Sequence, residues 1–305
     1  MEMNHFAEKI REAVRKELEE GYEVKIRQVQ KNNGICRTGL IVLAKDGNVT
    51  PSIYLEDFHA AYEAGMPFKR IVRQITEAYH RNKCNKNIDL EFFRDFGRVQ
   101  DRICYRLVGR KGNEALLGEI PHMEFLDLAI CFYYAYYSDA LGEGSILIHN
   151  SHMEMWHTCA EELFRLAQMN TPRLFPWRYG SLWEMLAENA RVIQGEEGVE
   201  AGLQEAFPDE IPMKVLTNSK RSSGAVCILY PGVLEEVAAE RMGGDFYILP
   251  SSVHEVVLLP DNGMILEEDL KKMIFDINRT HVDPEEVLSD NLYYYDAERK
   301  ETRLL

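Results

Sequence analysis

Hydrophobic side chains recur every third or fourth position in several stretches of the chain, which is the spacing of amphipathic helices. Phe6, Ile10, Val14 and Leu18 form one such stripe, so the pattern predicts an opening helix that ends near Gly21. The same spacing predicts further helices over 55–64, 68–79, 153–168, 231–242 and 266–278.

Other stretches alternate apolar and charged residues or are rich in β-branched and aromatic residues, as strands are. YEVKIRQVQ and ICRTGLIVLA flank Asn33-Gly34, which predicts a β-hairpin. Similar runs predict strands over 98–108, 124–138, 145–150, 212–218, 225–230, 247–260 and 291–297. Hairpins outnumber crossover connections, so the pattern predicts an α+β fold of antiparallel sheets built from hairpins and flanked by helices.

Two segments share the order strand, turn, strand, helix, namely 124–168 and 212–242. This order suggests a duplicated ββα unit. The residue identity between the segments is weak, so a chance similarity of two ββα units is an equal alternative.

Charge is divided unevenly along the 305 residues, whose net charge is −15. Residues 1–118 hold 21 Lys and Arg against 17 Asp and Glu, whereas residues 119–305 hold 14 against 33. We expect an N-terminal α+β region over 1–118 and an acidic C-terminal α+β domain over 119–305, with one continuous domain as the alternative. The clearest linker is 195–212, which has three glycines and two prolines.

The sequence indicates a cytoplasmic setting. The first twenty residues are charged throughout and lack the apolar core of a secretory signal. The longest apolar stretch, 126–137, is too short to span a bilayer. We therefore expect no membrane association. The six cysteines form no CxxC pair, so we also expect reduced thiols.

The stretch YILPSSVHEVVLLP carries the strongest candidate chemistry, with Ser251, Ser252, His254 and Glu255 inside an apolar run. A serine nucleophile needs a base within reach and an acid that orients the base. On one strand, Ser252 and His254 would share a face and Glu255 would point the other way. We therefore interpret the stretch as a bent or bulged strand whose serines bond to local backbone. A hydrolase-like site at these residues is the alternative.

A second cluster contains His149, His152, Glu154 and His157. These residue types bind Zn²⁺ or Fe²⁺, but the histidine separations of three and five do not match the i, i+4 spacing of HExxH. A helix N-cap at Asn150 or Ser151 explains the segment better, so we expect no metal site.

Phosphate and nucleic-acid sites are also disfavoured. The chain has neither GxxxxGK[ST] nor a GxGxxG between a strand and a helix, and ERMGGDF places its glycines at a helix C-cap. We therefore expect no cofactor. Six basic residues over 69–86 suggest a nucleic-acid surface. The acidic C-terminal part argues against one, because it repels polyanions.

Tyrosines supply the remaining candidate. Tyr134 and Tyr136 would share one face of the strand over 124–138, and tyrosine is enriched at interfaces. One face of this strand should be core, and the other could contact a protein or small-molecule partner or a second copy of the chain.

Two segments resemble a known family. GGDFYILPSSVHEVVLLPD, preceded by AVCILYPGVLEEVAAERM, and NNG followed by PSIYLEDFHAAYEAG are similar to a family of clostridial gut bacteria that carries a domain of unknown function. The resemblance covers nearly the whole chain and implies a bacterial cytoplasmic protein. It implies no activity or catalytic residue. We therefore expect a non-catalytic binding or protein-interaction module, with the hydrolase as the alternative.

Overall fold

The structure is a computed structural model that describes residues 1–18, 21–45, 47–48, 50–83, 91–138, 142–181, 213–263 and 265–305. The linker predicted at 195–212 lies outside these residues. The described residues form helices and three antiparallel sheets, which confirms the α+β prediction. The chain forms two compact units, one of residues 1–93 and 137–144 and the other of 94–136 and 145–305. The division into 1–118 and 119–305 stays a prediction.

Unit 1 is built from the apolar stripes that the sequence predicted. Its elements are α1 (Met3–Glu17), β1 (Tyr22–Gln30), β2 (Cys36–Ala44), β3 (Ser52–Tyr54), α2 (Glu56–Glu63) and α3 (Phe68–Asn82). The strands form one sheet in the order β1-β2-β3, with Tyr22 opposite Ala44. Ile10 and Ile75 are fully buried in the core of unit 1. The predicted hairpin forms because Asn33 adopts the left-handed backbone that its turn requires.

Unit 2 contains a sheet whose central strand is the predicted aromatic one. Its elements begin with α4 (Phe96–Val99), β4 (Ile103–Gly109), α5 (Glu114–Glu119), β5 (His122–Phe125), β6 (Leu128–Ser138), β7 (Gly142–Leu147), α6 (Asn150–Trp156) and α7 (Ala160–Leu174). The order is β4-β6-β5, and β7 also pairs with β6. The free edge of β4 meets α7, where Thr171 Oγ1 accepts a hydrogen bond from the Tyr105 backbone at 3.2 Å.

The second sheet of unit 2 has six strands. They are β8 (Trp177–Ser181), β9 (Lys214–Asn218), β10 (Phe246–Leu249), β11 (Val256–Pro260), β12 (Tyr293–Asp296) and β13 (Glu301–Leu304), in the order β13-β12-β10-β11-β9-β8. Helices α8 (Val233–Val237) and α9 (Glu267–Thr280) accompany it. Asp127, in the turn between β5 and β6, accepts hydrogen bonds from Ser289 at 2.6 Å and Asn291 at 2.9 Å, and one from the Tyr293 hydroxyl.

Several predicted elements were wrong in detail. The strand over 98–108 begins only at Ile103, and the strand over 124–138 is a hairpin that turns where Leu126 is left-handed. The helix over 153–168 is broken at His157, which is also left-handed. The apolar run 225–230 is a 3₁₀ helix, Gly224–Leu229, so the suggested second ββα unit lacks its second strand.

The stretch 247–260 is also corrected. It is an antiparallel hairpin of β10 and β11, with Phe246 opposite Pro260 and Leu249 opposite Val257. Residues 250–255 form the connecting loop. The sequence did not reveal this reversal. Both strands are buried, so apolar and polar residues do not alternate along them.

Candidate functional site

A cavity of about 480 Å³ opens in unit 2 beside the 250–255 loop. Its apolar wall comes from β9, β10, β11, α9 and residues next to β9 and α9. The wall residues are Met213, Val215, Leu249, Val257, Met273, Ile277 and Val282. The polar residues that line it are Thr217, Arg221, Ser251, Ser252, His254, Glu255 and His281. A mainly apolar cavity with a few converging polar groups is the usual form of a small-molecule site.

The loop is held on one side by a C-terminal segment. Val253 donates its backbone N–H to the Glu286 carbonyl at 2.9 Å, and the Ser251 carbonyl accepts from the Leu288 N–H at 3.1 Å. Between these bonds, Ser252 forms an isolated β-bridge. Buried backbone groups must find partners, so this ladder fixes the loop even though it lies outside a strand.

The other side of the loop packs against the segment that follows β9. Thr217 Oγ1 donates to the His254 carbonyl at 2.7 Å. Ser223, which is left-handed, donates its backbone N–H to His254 Nδ1 at 3.2 Å. Gly224 permits this approach, because a Cβ there would lie 2.1 Å from Thr217 Oγ1 and 2.4 Å from the His254 carbonyl oxygen.

Both ring nitrogens of His254 are engaged. Because Nδ1 accepts the Ser223 N–H, the neutral ring carries its proton on Nε2, which lies 3.1 Å from Glu286 Oε1. Ser252 Oγ contacts the His254 backbone N–H at 3.0 Å, where it is the acceptor. The ring is thus oriented by a distant acid, as a hydrolase needs, but neither nitrogen is free to take a serine proton.

Glu255 lies near Ser252, contrary to the expectation that it points the other way. That expectation assumed a strand, and the loop conformation removes the alternation of faces. Burial raises the pKa of Glu255, while the neighbouring His254 and a hydrogen bond from the Ser252 hydroxyl partly oppose the rise. Glu286 adds to the rise by like-charge repulsion. The loop therefore holds a half-buried carboxyl that gains a proton more readily than a solvated one.

The aromatic candidates lie elsewhere in unit 2. Tyr134 is only 7% exposed, and Tyr136 is half-buried. A partner surface at these two residues, like self-association, stays a prediction.

The histidine cluster is arranged as a helix start. His149 is the N-cap of α6, in place of the predicted Asn150 or Ser151, and its backbone N–H donates to His152 Nδ1 at 3.0 Å. Within the described ranges, no group of three His, Cys, Asp or Glu could hold a metal ion.

The basic helix is α3. Arg73 on this helix pairs with Glu77 at 2.8 Å, and part of the basic run over 69–86 lies outside the described residues.

Sequence reasoning missed Thr217, Arg221 and Glu286. These three residues reach the cavity loop only through tertiary packing. The only local signal in the sequence was Gly224, the glycine that ends KRSSG.

Residues 3–297 match the model of DUF5688, a family of unknown function, so the chain belongs to that family. This confirms the resemblance to a family with a domain of unknown function. Neither a curated protein nor a solved structure matches the chain. Across the helices that the structure describes, none combines the length and the apolar character needed to cross a membrane.

We predict that Gly224→Ala destabilises the chain by about 3 kcal/mol or more, because the added Cβ must displace Thr217 or the His254 carbonyl. Urea denaturation measures the free energy of unfolding. Gly118→Ala is the matched control, since a Cβ there meets nothing within 4 Å, and it should change stability by less than about 1 kcal/mol. Equal effects of the two substitutions would contradict the packing described for Gly224.

We also predict a pH-dependent gain from Glu255→Gln. Because the folded pKa is raised, the proton on Glu255 contributes stability that is complete below the unfolded pKa and lost as pH rises through the folded pKa. The variant has no such loss. Its stability relative to the wild type should therefore rise as the pH is raised above about 4.3, the pKa of an unfolded glutamate, as urea titrations over a series of increasing pH values would show. A constant difference over this range would count against a raised pKa.

Proposed function

We propose that this chain is a non-catalytic binding protein that holds a small amphipathic molecule in the cavity beside the 250–255 loop. The observation that carries the proposal is the cavity itself, whose apolar wall and polar groups converge from separate elements of unit 2. Its volume of about 480 Å³ suits a small organic molecule.

The apolar and the polar lining residues would contact different parts of a ligand. The apolar wall favours a hydrocarbon or aromatic body, since each buried methylene is worth about 0.8 kcal/mol. The hydroxyl of Ser252 and the carboxyl of Glu255 would orient one hydrogen-bonding end of that body. A polar end that left these groups unpaired would bind poorly, because a buried polar group without a partner is costly.

The polar end is rigid before any ligand arrives. Backbone hydrogen bonds fix 250–255 on both sides, and Thr217 fixes the His254 carbonyl. Preorganisation of this kind lowers the entropy that binding must spend on ordering side chains. It supports a binding role for the loop.

The state of His254 supports the non-catalytic form of the proposal. A histidine base must offer a free nitrogen to the hydroxyl that it deprotonates. Here one nitrogen accepts from Ser223 and the other faces Glu286. The ring acts as a fixed part of the wall.

The buried thiols support a reducing, cytoplasmic setting for this binding. Cys104, Cys131 and Cys227 are buried as free cysteines. Burial raises the pKa of each to about 12, which keeps them protonated and unreactive.

The binding proposal predicts that 1-anilinonaphthalene-8-sulfonate, a fluorescent probe of apolar sites, binds saturably to one site on the chain. Ile277→Trp should weaken this binding at least tenfold, because the indole fills the cavity from α9. The control is Met169→Trp, since Met169 lies on α7 and is 58% exposed. Circular dichroism confirms that both variants fold. Equal binding by the two variants, or none by the wild type, would overturn the proposal.

The alternative is a hydrolase, which one observation favours: Ser252 hydrogen-bonds a carboxyl of raised pKa, Glu255. In that reaction, Ser252 Oγ would attack an ester carbonyl and pass its proton to Glu255. The acyl-serine would form as the alcohol leaves with that proton, and water would then release the acid.

The two functions differ in what p-nitrophenyl butyrate does with the protein. For a binding protein we predict the same slow hydrolysis by the wild type and by Ser252→Ala. A hydrolase would instead lose at least about a hundredfold in rate in Ser252→Ala and in Glu255→Gln, while Ser251→Ala would lose little. Spectroscopic detection of p-nitrophenolate at about pH 7.5, with the wild type and these three variants side by side, decides between them.

A further inference from the structure

Arg106, in the middle of β4, has a side-chain donor that is not used. Its Nε is completely buried and has no hydrogen-bond partner. Among the described residues, the Arg106 guanidinium also forms no ion pair. Arg106 as a whole is half-buried, so the cost falls on its buried Nε–H, because an N–H donor withdrawn from water is costly unless an acceptor compensates it.

The strand register shows which side chains share the face of Arg106. Cys131 on β6 lies directly opposite, and His122 on β5 lies opposite Cys131. Glu124, two residues beyond His122, is the acid on this face of β5, but it pairs with Arg110 at 2.8 Å. Burial raises the pKa of Cys131 to about 12. The thiol is therefore neutral and supplies no negative charge.

Tyr133 brings a second unused donor to the same face. It is two residues from Cys131 on β6 and therefore points to the side that Arg106 occupies. Tyr133 is half-buried, and its hydroxyl makes no hydrogen bond to any described residue. Burial raises the pKa of Tyr133 and the nearby Arg106 charge opposes that rise, which places the two groups within electrostatic reach.

We propose that Arg106 and Tyr133 form a binding site for a small oxyanion, a carboxylate or a phosphate group. The guanidinium supplies the charge and a planar pair of N–H donors, which match two oxygens of such a group. The phenol adds one O–H donor from the neighbouring strand. This site is built on β4 and β6, and its lining shares no residue with the cavity beside the 250–255 loop.

Isothermal titration with inorganic phosphate, and separately with acetate, tests the site at constant ionic strength. We expect saturable binding of at least one probe by the wild type. Arg106→Met should weaken it at least tenfold, and Tyr133→Phe should weaken it severalfold. Binding of phosphate alone would assign a phosphate ligand, and binding of acetate alone would assign a carboxylate.

Arg165→Met is the matched control, because it removes the same charge from an exposed position that pairs with Glu162. It should leave the affinity unchanged. If Arg106→Met does not fold, Arg106→Lys replaces it, since lysine keeps the charge but loses the planar donor pair. The proposal is overturned if the wild type binds neither probe, or if the Arg106 variant binds as tightly as the Arg165 variant.

Discussion

The close approach of two loops at Gly224 is the constraint on which the architecture of the cavity depends. The missing Cβ lets the segment after β9 press against the His254 carbonyl, so that Thr217 and Ser223 can bind the 250–255 loop. A loop rich in backbone polar groups can be buried only when such partners exist. Close packing at one glycine therefore fixes one side of the loop, and the ladder to 286–288 fixes the other.

The same packing at Gly224 places ionisable groups in unfavourable electrostatic surroundings at the cavity. It holds the Glu255 carboxyl where burial and Glu286 both favour its protonated form. It also keeps His254 between an N–H donor and a carboxylate, which fixes one tautomer of the ring. A carboxyl with a raised pKa is typical of binding and catalytic sites, because a fold optimised for stability alone would avoid it.

Local pattern predicted the helices of unit 1 and the first hairpin, because stripes such as the one through Ile10 and the turn at Asn33 are fixed within a few residues. Continuous apolar runs misled the prediction, since 225–230 and 247–260 are buried whether they form a strand, a 3₁₀ helix or a hairpin. The polar loop residues were found. Glu286 was not, because only the tertiary fold brings it to His254.

The ladder between the 250–255 loop and 286–289 has a consequence for how the chain acquires its structure. Asp127 likewise finds its partners Ser289 and Tyr293 more than 160 positions later. During synthesis, the cavity wall and the β5–β6 turn stay incompletely paired until residues 286–293 have been made. Unit 2 therefore completes its folding late, because these contacts join segments that are far apart in the sequence.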